Sequence, residues 1–336
     1  MHATNSSPFR HVLVPLDGST LAEEALAAAG AFAHRVGASI HLVTVQPPLV
    51  PPGAEFGLRD TDDAAAAGVR DHIDAYLAMM AAKLARTRGV HAVTAVLVGD
   101  PVDRLAEYVR VNEIALVVMT THGRGGFSRF WLGSVADQLL RQVKAPVLLL
   151  RHGARSEDAA FERILIALDG SRASEEALAP AIALGSLAAN AHYTLVRVVE
   201  PLPPPMVRPV GLYPPDSGAQ SLDQLSAAAA RYLEEVADGM RDRGLAVETR
   251  VLAGGVAEQV VRFAEQSHSQ LIAVGTRGVR GMDRLMLGSV ADKVVRSAGR
   301  PVLVVPAGPR RAGSRDRTMQ AATMVSSQTD NQVLTP

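Results

Sequence analysis

The sequence predicts an α/β protein built from two tandem doubly wound parallel-sheet domains, Rossmann-like or flavodoxin-like, each with five strands. Three observations lead there. The chain has 336 residues, enough for about two domains at roughly 150 residues each. It also repeats itself. VLVPLDGSTLAEEALAAA from Val12 aligns with ILIALDGSRASEEALAPA from Ile164, offset by 152 from Asp17 to Asp169. WLGSVADQLL from Trp131 aligns with MLGSVADKVV from Met286, offset by 155 from Gly133 to Gly288. Finally, short β-branched runs alternate with helical stretches through both copies. The expected units are residues 1–153 and 154–308, followed by a polar tail, 309–336.

In the first copy, HVLVPL (His11 to Leu16) reads as a strand, and Ser19 to Val36 as a helix that the serine caps. SIHLVTV (Ser39 to Val45) is the second strand, and Val69 to Arg88 carries apolar residues at helical spacing. HAVTAVLV (His91 to Val98) precedes a helix from Val102 to Asn112. ALVVMT (Ala115 to Thr120) precedes a helix from Ser134 to Val143, and PVLLL (Pro146 to Leu150) closes the unit. The second copy repeats the order from Arg163 to Val305. Continuously apolar strands between helices imply a parallel sheet covered on both faces. PVLLL and PVLVV are short apolar edges that must be paired or covered, so the copies are expected to pack as a pseudo-symmetric pair through them.

Two stretches interrupt the pattern, PPLVPPGAEFGLRDTDD and PLPPPMVRPVGLYPPDSG; proline keeps them out of regular structure, and they read as surface excursions. The tail after Val305 is polar and without period, as disordered segments are.

Composition narrows the function classes. Thirty-four basic and thirty-four acidic residues balance, which argues against wholesale binding to nucleic acid or anionic lipid. With no cysteine, disulfides, thiolate metal sites and cysteine nucleophiles are excluded. Neither a signal peptide nor a membrane span is recognisable, and the expected location is cytoplasmic.

Ligands in such sheets bind beyond the carboxyl ends of the strands, where strand order reverses. There the sequence places Asp17, Gly18 and Ser19, and again Asp169, Gly170 and Ser171. Ser19 and Ser171 serve as helix caps, whereas the aspartates suit ribose hydroxyls or an adenine amine. After the fourth strand of copy two come Gly275, Thr276, Arg277 and Gly278, then nine residues, then Gly288 and Ser289. Glycines there let main-chain N–H groups approach a phosphate, and the helix opened by Gly288 adds its positive end. The structural alternative makes Ser134 with Asp137, and Ser289 with Asp292, variants of a capping box.

The strand-end Asp-Gly-Ser, the Gly-x2-Gly-x9-Gly-Ser run and the terminal PVLVV resemble the universal stress proteins, in particular their tandem-domain, ATP-binding branch. The resemblance spans His11 to Val305. It implies ATP lying across the strand ends, with Mg2+, and last strands that pair between domains. By position, Asp17 and Asp169 would hold the adenosine end, and Val45 and Val198 would meet adenine through the backbone. Gly123, Gly133, Ser134, Gly278, Gly288 and Ser289 would hold phosphates, with Val135 and Val290 lining the site. Pro15, Met119, Thr120, Ala167 and Gly275 complete the cofactor-binding set at the strand ends. Copy one departs from the pattern at Thr120, where copy two has Gly275, and copy two at Ala167, where copy one has Pro15. Arg129 and Arg284 fall at matching places in the nine-residue loops; His122 reads as a loop or phosphate-proximal residue, and Phe130 and Trp131 as packing residues.

No P-loop, dinucleotide fingerprint, nucleophile elbow or helical histidine pair occurs. The favoured function is therefore a regulatory ATP-binding protein of the stress-response kind, without catalytic residues or a resident protein-bound metal. A slow ATP hydrolase or autophosphorylating protein using Asp17 or Asp169 is the alternative from another class, and a ligand-free dimerising scaffold the third. Expected partners are ATP, the other half of the same chain and an unidentified regulatory protein; a homodimer is left open.

Overall fold

The computed structural model describes residues 9–48, 60–121, 132–151, 161–200, 222–276 and 287–307. Its first half runs β1 (His11–Pro15), α1 (Thr20–Val36), β2 (Ser39–Gln46), α2 (Asp60–Arg88), β3 (Ala92–Val98), α3 (Pro101–Val111), β4 (Leu116–Thr120), α4 (Ser134–Leu140) and β5 (Val147–Leu150). The second runs β6 (Arg163–Ala167), α5 (Arg172–Glu175), α6 (Leu178–Gly185), β7 (His192–Val199), α7 (Leu222–Arg241), β8 (Ala246–Ala253), α8 (Val256–Gln266), β9 (Leu271–Gly275), α9 (Ser289–Ser297) and β10 (Val302–Val305). Among the described residues no helix is long and apolar enough to cross a membrane.

All strands join one ten-stranded sheet, in the order β3-β2-β1-β4-β5-β10-β9-β6-β7-β8. Pairing is parallel within each half and antiparallel only where β5 meets β10. The expected pairing of PVLLL with PVLVV is therefore present. Its register sets Leu148 opposite Leu303, Val147 opposite Val304 and Leu149 opposite Val302. Leu148 and Leu303 are equivalent positions of the duplication, so a local two-fold axis runs between them. Strand order reverses at β1/β4 and at β6/β9, which creates one switch point per half.

Strand periodicity divides the core between the two faces of the sheet. Val12, Val14, Leu148 and Leu303 belong to one buried cluster, while Leu13, Val147, Leu149 and Val304 belong to the other. Both clusters run through the β5–β10 junction, so the halves share their core.

Two elements differ from the sequence reading, each for a local reason. Helix α2 begins at Asp60 instead of Val69, taking in the end of the first excursion. Its opening DTDDAAAA has acidic residues, suited to a helix start, and alanines, the best helix formers, but no apolar stripe for periodicity to detect. In the second half, the counterpart of α1 is broken into α5 and α6 around Glu176 and Ala177. Pro180 explains the break, because proline has no N–H for the carbonyl four residues earlier, that of Glu176, and its ring crowds that carbonyl. The first half has Ala28 there and a continuous helix.

Candidate functional site

The turns after β1 and β6 are built alike. Gly18 and Gly170 adopt φ of 76° and 81°, the left-handed region that glycine enters without strain. Ser19 Oγ accepts from Ala22 N at 3.1 Å and Ser171 Oγ from Ser174 N at 3.2 Å, so both are helix caps as expected. Both aspartates also act within the turn. Asp17 Oδ1 accepts from Ser19 N at 3.0 Å and from Ser19 Oγ at 2.6 Å, and Asp169 Oδ1 accepts from Ser171 N at 2.8 Å. Each carboxylate thus fixes its own turn at the carboxyl end of the strand.

Beyond the ends of β6, β7 and β9 lies a cavity of about 510 Å3. Its wall brings together Ala167, Asp169, Val198, Gly275, Gly288, Ser289 and Val290, every second-half candidate among the described residues. Gly278, Gly123, Arg129, Arg284, His122, Phe130 and Trp131 lie outside the described residues. The first-half candidates sit on the equivalent elements: Pro15 ends β1, Val45 is penultimate in β2, Met119 and Thr120 end β4, and Gly133, Ser134 and Val135 open α4.

Gly288 is the N-cap of α9 and Gly133 of α4, and neither helix start receives a side-chain cap. The capping-box alternative is thereby corrected. Ser134 and Ser289 are the first helical residues, while Asp137 and Asp292 turn to arginines. Asp137 accepts from Arg141 at 3.2 Å and Asp292 from Arg296 at 3.0 Å, each four residues along its own helix. Arg296 also reaches Asp137 across the two-fold at 2.9 Å, and Arg141 approaches Asp292 at 3.7 Å. The helices whose starts frame the two sites are therefore joined to one another by four charges.

Gly275 has a packing reason for being glycine. A Cβ there would stand 2.2 Å from the carbonyl oxygen of Ala173 in α5, so the first turn after β6 lies directly against the end of β9. The first half has buried Thr120 at this position, under the continuous α1. Next to Gly275, the hydroxyl of Thr276 is buried without a partner among the described residues.

Several residues of the site are not evident from motifs. Glu200, Glu258 and Lys293 line the cavity, as do Gly255 and Val256 at the start of α8, which also lacks a side-chain cap. In the first half the equivalent cap is Asp100, whose carboxylate accepts from Val102 N at 2.9 Å. Behind the aspartate turn, the Tyr232 hydroxyl donates to Glu175 at 2.9 Å, and Tyr76 donates to Glu23 at 3.2 Å. Burial first, then the neighbouring glutamate, raises both phenols above their ordinary pKa, so they remain donors. The guanidinium of Arg197 lies 5.1 Å from the centre of the Tyr232 ring. The recurrence of Tyr and Glu at equivalent places in both copies was the available sequence signal.

Fold and site define a class: a tandem, flavodoxin-like α/β protein with a glycine-framed cavity at its switch point. Comparison with known proteins makes it specific. The model of the universal stress protein family matches twice, over residues 8–151 and 160–306, and the chain belongs to that family in a tandem form. A universal stress protein of Methanocaldococcus jannaschii is 34% identical over 45% of this chain and 85% of its own. Another, from Mycobacterium tuberculosis, is 26% identical over 87% of this chain and 94% of its own. Among solved structures, a universal stress protein from Archaeoglobus fulgidus superimposes with a TM-score of 0.68 at 22% identity, covering 89% of this chain and 99% of that one. A universal stress protein solved in complex with cAMP covers 42% of this chain and 95% of its own, at 25% identity and a TM-score of 0.29.

Proposed function

We propose that this protein is a regulatory ATP-binding member of its family, taking the nucleotide with Mg2+ in the second-half cavity and in a related site of the first half. The observation that carries the reading is the convergence of Ala167, Asp169, Val198, Gly275, Gly288, Ser289 and Val290 on one cavity at the switch point. Its volume of about 510 Å3 lies in the usual range for small-molecule sites, roughly 300–1,000 Å3.

The chemistry of the wall fits the ligand. The uncapped start of α9 presents main-chain amides and the positive end of a helix dipole, a combination that suits phosphate oxygens. Lys293, one turn into that helix, adds a full positive charge. Asp169, fixed by its turn, would accept from ribose hydroxyls, and the backbone of Val198 would meet the base. Gly288 and Ser289 would hold phosphates. Glu200 and Glu258 offer hard oxygen donors. Mg2+ would sit mainly on the nucleotide's own phosphates and water, as it commonly does.

The position of α9 supports a regulatory role. It walls the cavity with its first turn and joins α4 through Asp292 and Arg296, so a bound triphosphate would act on the same helix that ties the halves together. Denaturing the purified protein and identifying any released nucleotide by mass spectrometry tests the reading directly. Calorimetry of nucleotide-free protein with ATP and magnesium completes the test, and an absence of heat would remove the proposal.

A further inference from the structure

The two outer edges of the sheet, β3 and β8, are copies of one another yet are treated differently. Among the described residues, six large apolar side chains are exposed: Val69, Met79, Val93, Val98, Val111 and Leu222. Five of these belong to β3 or to α2 and α3, which flank it. Only Leu222 belongs to the second half.

The duplication supplies an internal control. Ala92 pairs with Ile40 and Val247 with the equivalent Tyr193, so Val93 corresponds to Glu248 and Ala95 to Arg250. Glu248 and Arg250 form an ion pair at 2.8 Å on the β8 edge. Tyr76 corresponds to Tyr232, so Met79 corresponds to Glu235, and the last residue of α3, Val111, corresponds to Gln266. Val93, Met79 and Val111 are 49%, 57% and 61% exposed. Where the second half meets water with charge or amide, the first half keeps valine and methionine.

The backbone repeats the contrast. The bonds Ile40 N→His91 O and Gly99 N→Gln46 O turn the main-chain groups of Ala92, Thr94, Val96 and Val98 outward. Among the described residues, only the Val98 carbonyl of these has a partner outside the sheet, Arg104 Nε at 3.0 Å. On β8 the outward carbonyls of Val247 and Thr249 both accept from arginines, Arg241 at 3.3 Å and Arg250 at 2.9 Å. Charged side chains and occupied carbonyls are how natural sheets prevent edge pairing, and β3 lacks them along AVTAVLV.

We infer that the β3 edge is an interface, and that its occupant is a second copy of this chain, paired antiparallel β3 to β3 about a two-fold axis. Self-pairing of an edge must avoid setting like charges opposite one another, and a strand with no charged residue meets that condition. Head-to-tail pairing of β3 with β8 would build open fibres, and the arginines on β8 oppose it. The geometry required is the one already used at β5–β10, so the dimer would continue the sheet through both chains.

Sedimentation velocity on the full chain at micromolar concentration tests this, with hydrogen exchange of the β3 amides alongside. The expected result is a two-chain species with slowly exchanging β3. Val93→Glu with Ala95→Arg, which installs the pair found on β8, should raise the dimer dissociation constant by roughly a hundredfold because charge would be buried. Met79→Glu, on an exposed helix surface, should weaken the dimer as well, and serves if the strand variant melts early. A wild-type monomer with rapidly exchanging β3 overturns the inference, and so does a dimer that survives both variants. A monomer with protected β3 also overturns it, since the edge would then be covered by this chain's own undescribed residues.

Discussion

Arg296 donates to Asp137 at 2.9 Å although the two residues stand 159 positions apart. Their equivalents in the duplication, Arg141 and Asp292, approach at 3.7 Å, so the contact is made twice about the local two-fold, once tightly and once loosely. All four side chains are 24–37% exposed, which makes the cluster a partly screened network at the rim of the α4–α9 contact.

A double-mutant cycle on Asp137→Asn and Arg296→Gln should therefore return a coupling of about 0.5–1 kcal/mol in low salt, in the range of exposed pairs that share a network. The coupling should shrink in 1 M salt, where the Debye length falls to roughly 3 Å. Urea unfolding of the four species measures it. A coupling indistinguishable from zero at low salt would show that α4 and α9 are held by packing alone.

Gly275→Ala should destabilise the second half by about 1–3 kcal/mol, the usual cost of overpacking, because the added methyl would meet the Ala173 carbonyl oxygen instead of a movable side chain. The first half already carries Thr120, so Thr120→Ala should be milder. Thermal melts of both variants make the comparison. Equal losses would mean that the close approach of α5 to β9 is not what requires glycine.

Near the amino ends of β1 and β2, His41 Nδ1 lies 2.9 Å from the Tyr108 hydroxyl and His41 Nε2 lies 3.3 Å from His11 Nδ1. Burial first, and His11 second, holds the His41 pKa below its ordinary 6.5. The folded state therefore favours the neutral ring more than the unfolded chain does. The stability this contributes is complete above about pH 6.5 and is lost as pH falls through the folded pKa. His41→Thr, the residue that the second half carries at Thr194, should flatten the decline in melting temperature between neutral and acidic pH. An unchanged slope would assign the acid sensitivity elsewhere.

Much of this was legible in the chain. The duplication, the alternation of strands with helices and the pairing of PVLLL with PVLVV followed from apolar periodicity and from the need to satisfy a sheet edge. The strand-end candidates of the second half converge because parallel topology brings all carboxyl ends to one side. What escaped has a physical reason in each case. The start of α2 carries no apolar stripe to mark it. Pro180 breaks the helix that corresponds to Thr20–Val36, and matching the EEALA core of the two copies draws no attention to that position. Asp137 and Asp292 look like capping residues in one dimension, and only the two-fold brings arginines from the other half to them. Glu200, Glu258 and Lys293 belong to no motif; they line the cavity because β7, α8 and α9 happen to end or begin there.

Lys293 separates the two proposed sites most simply, because the first half has Gln138 at the equivalent position. If a triphosphate lies over the start of α9, the ammonium at that wall contributes attraction that glutamine cannot. Lys293→Gln should weaken MgATP binding by about tenfold, equivalent to roughly 1.4 kcal/mol. The loss should diminish at high salt, where the lysine of the parent protein is already screened. The reverse change, Gln138→Lys, should strengthen whatever affinity the first half has. Adenosine separates the contributions further: lacking phosphates, it should bind the parent and Lys293→Gln proteins alike. Calorimetry with both ligands on the two variants measures each expectation. If adenosine lost as much affinity as MgATP, Lys293 would be supporting the cavity wall and the phosphates would lie elsewhere.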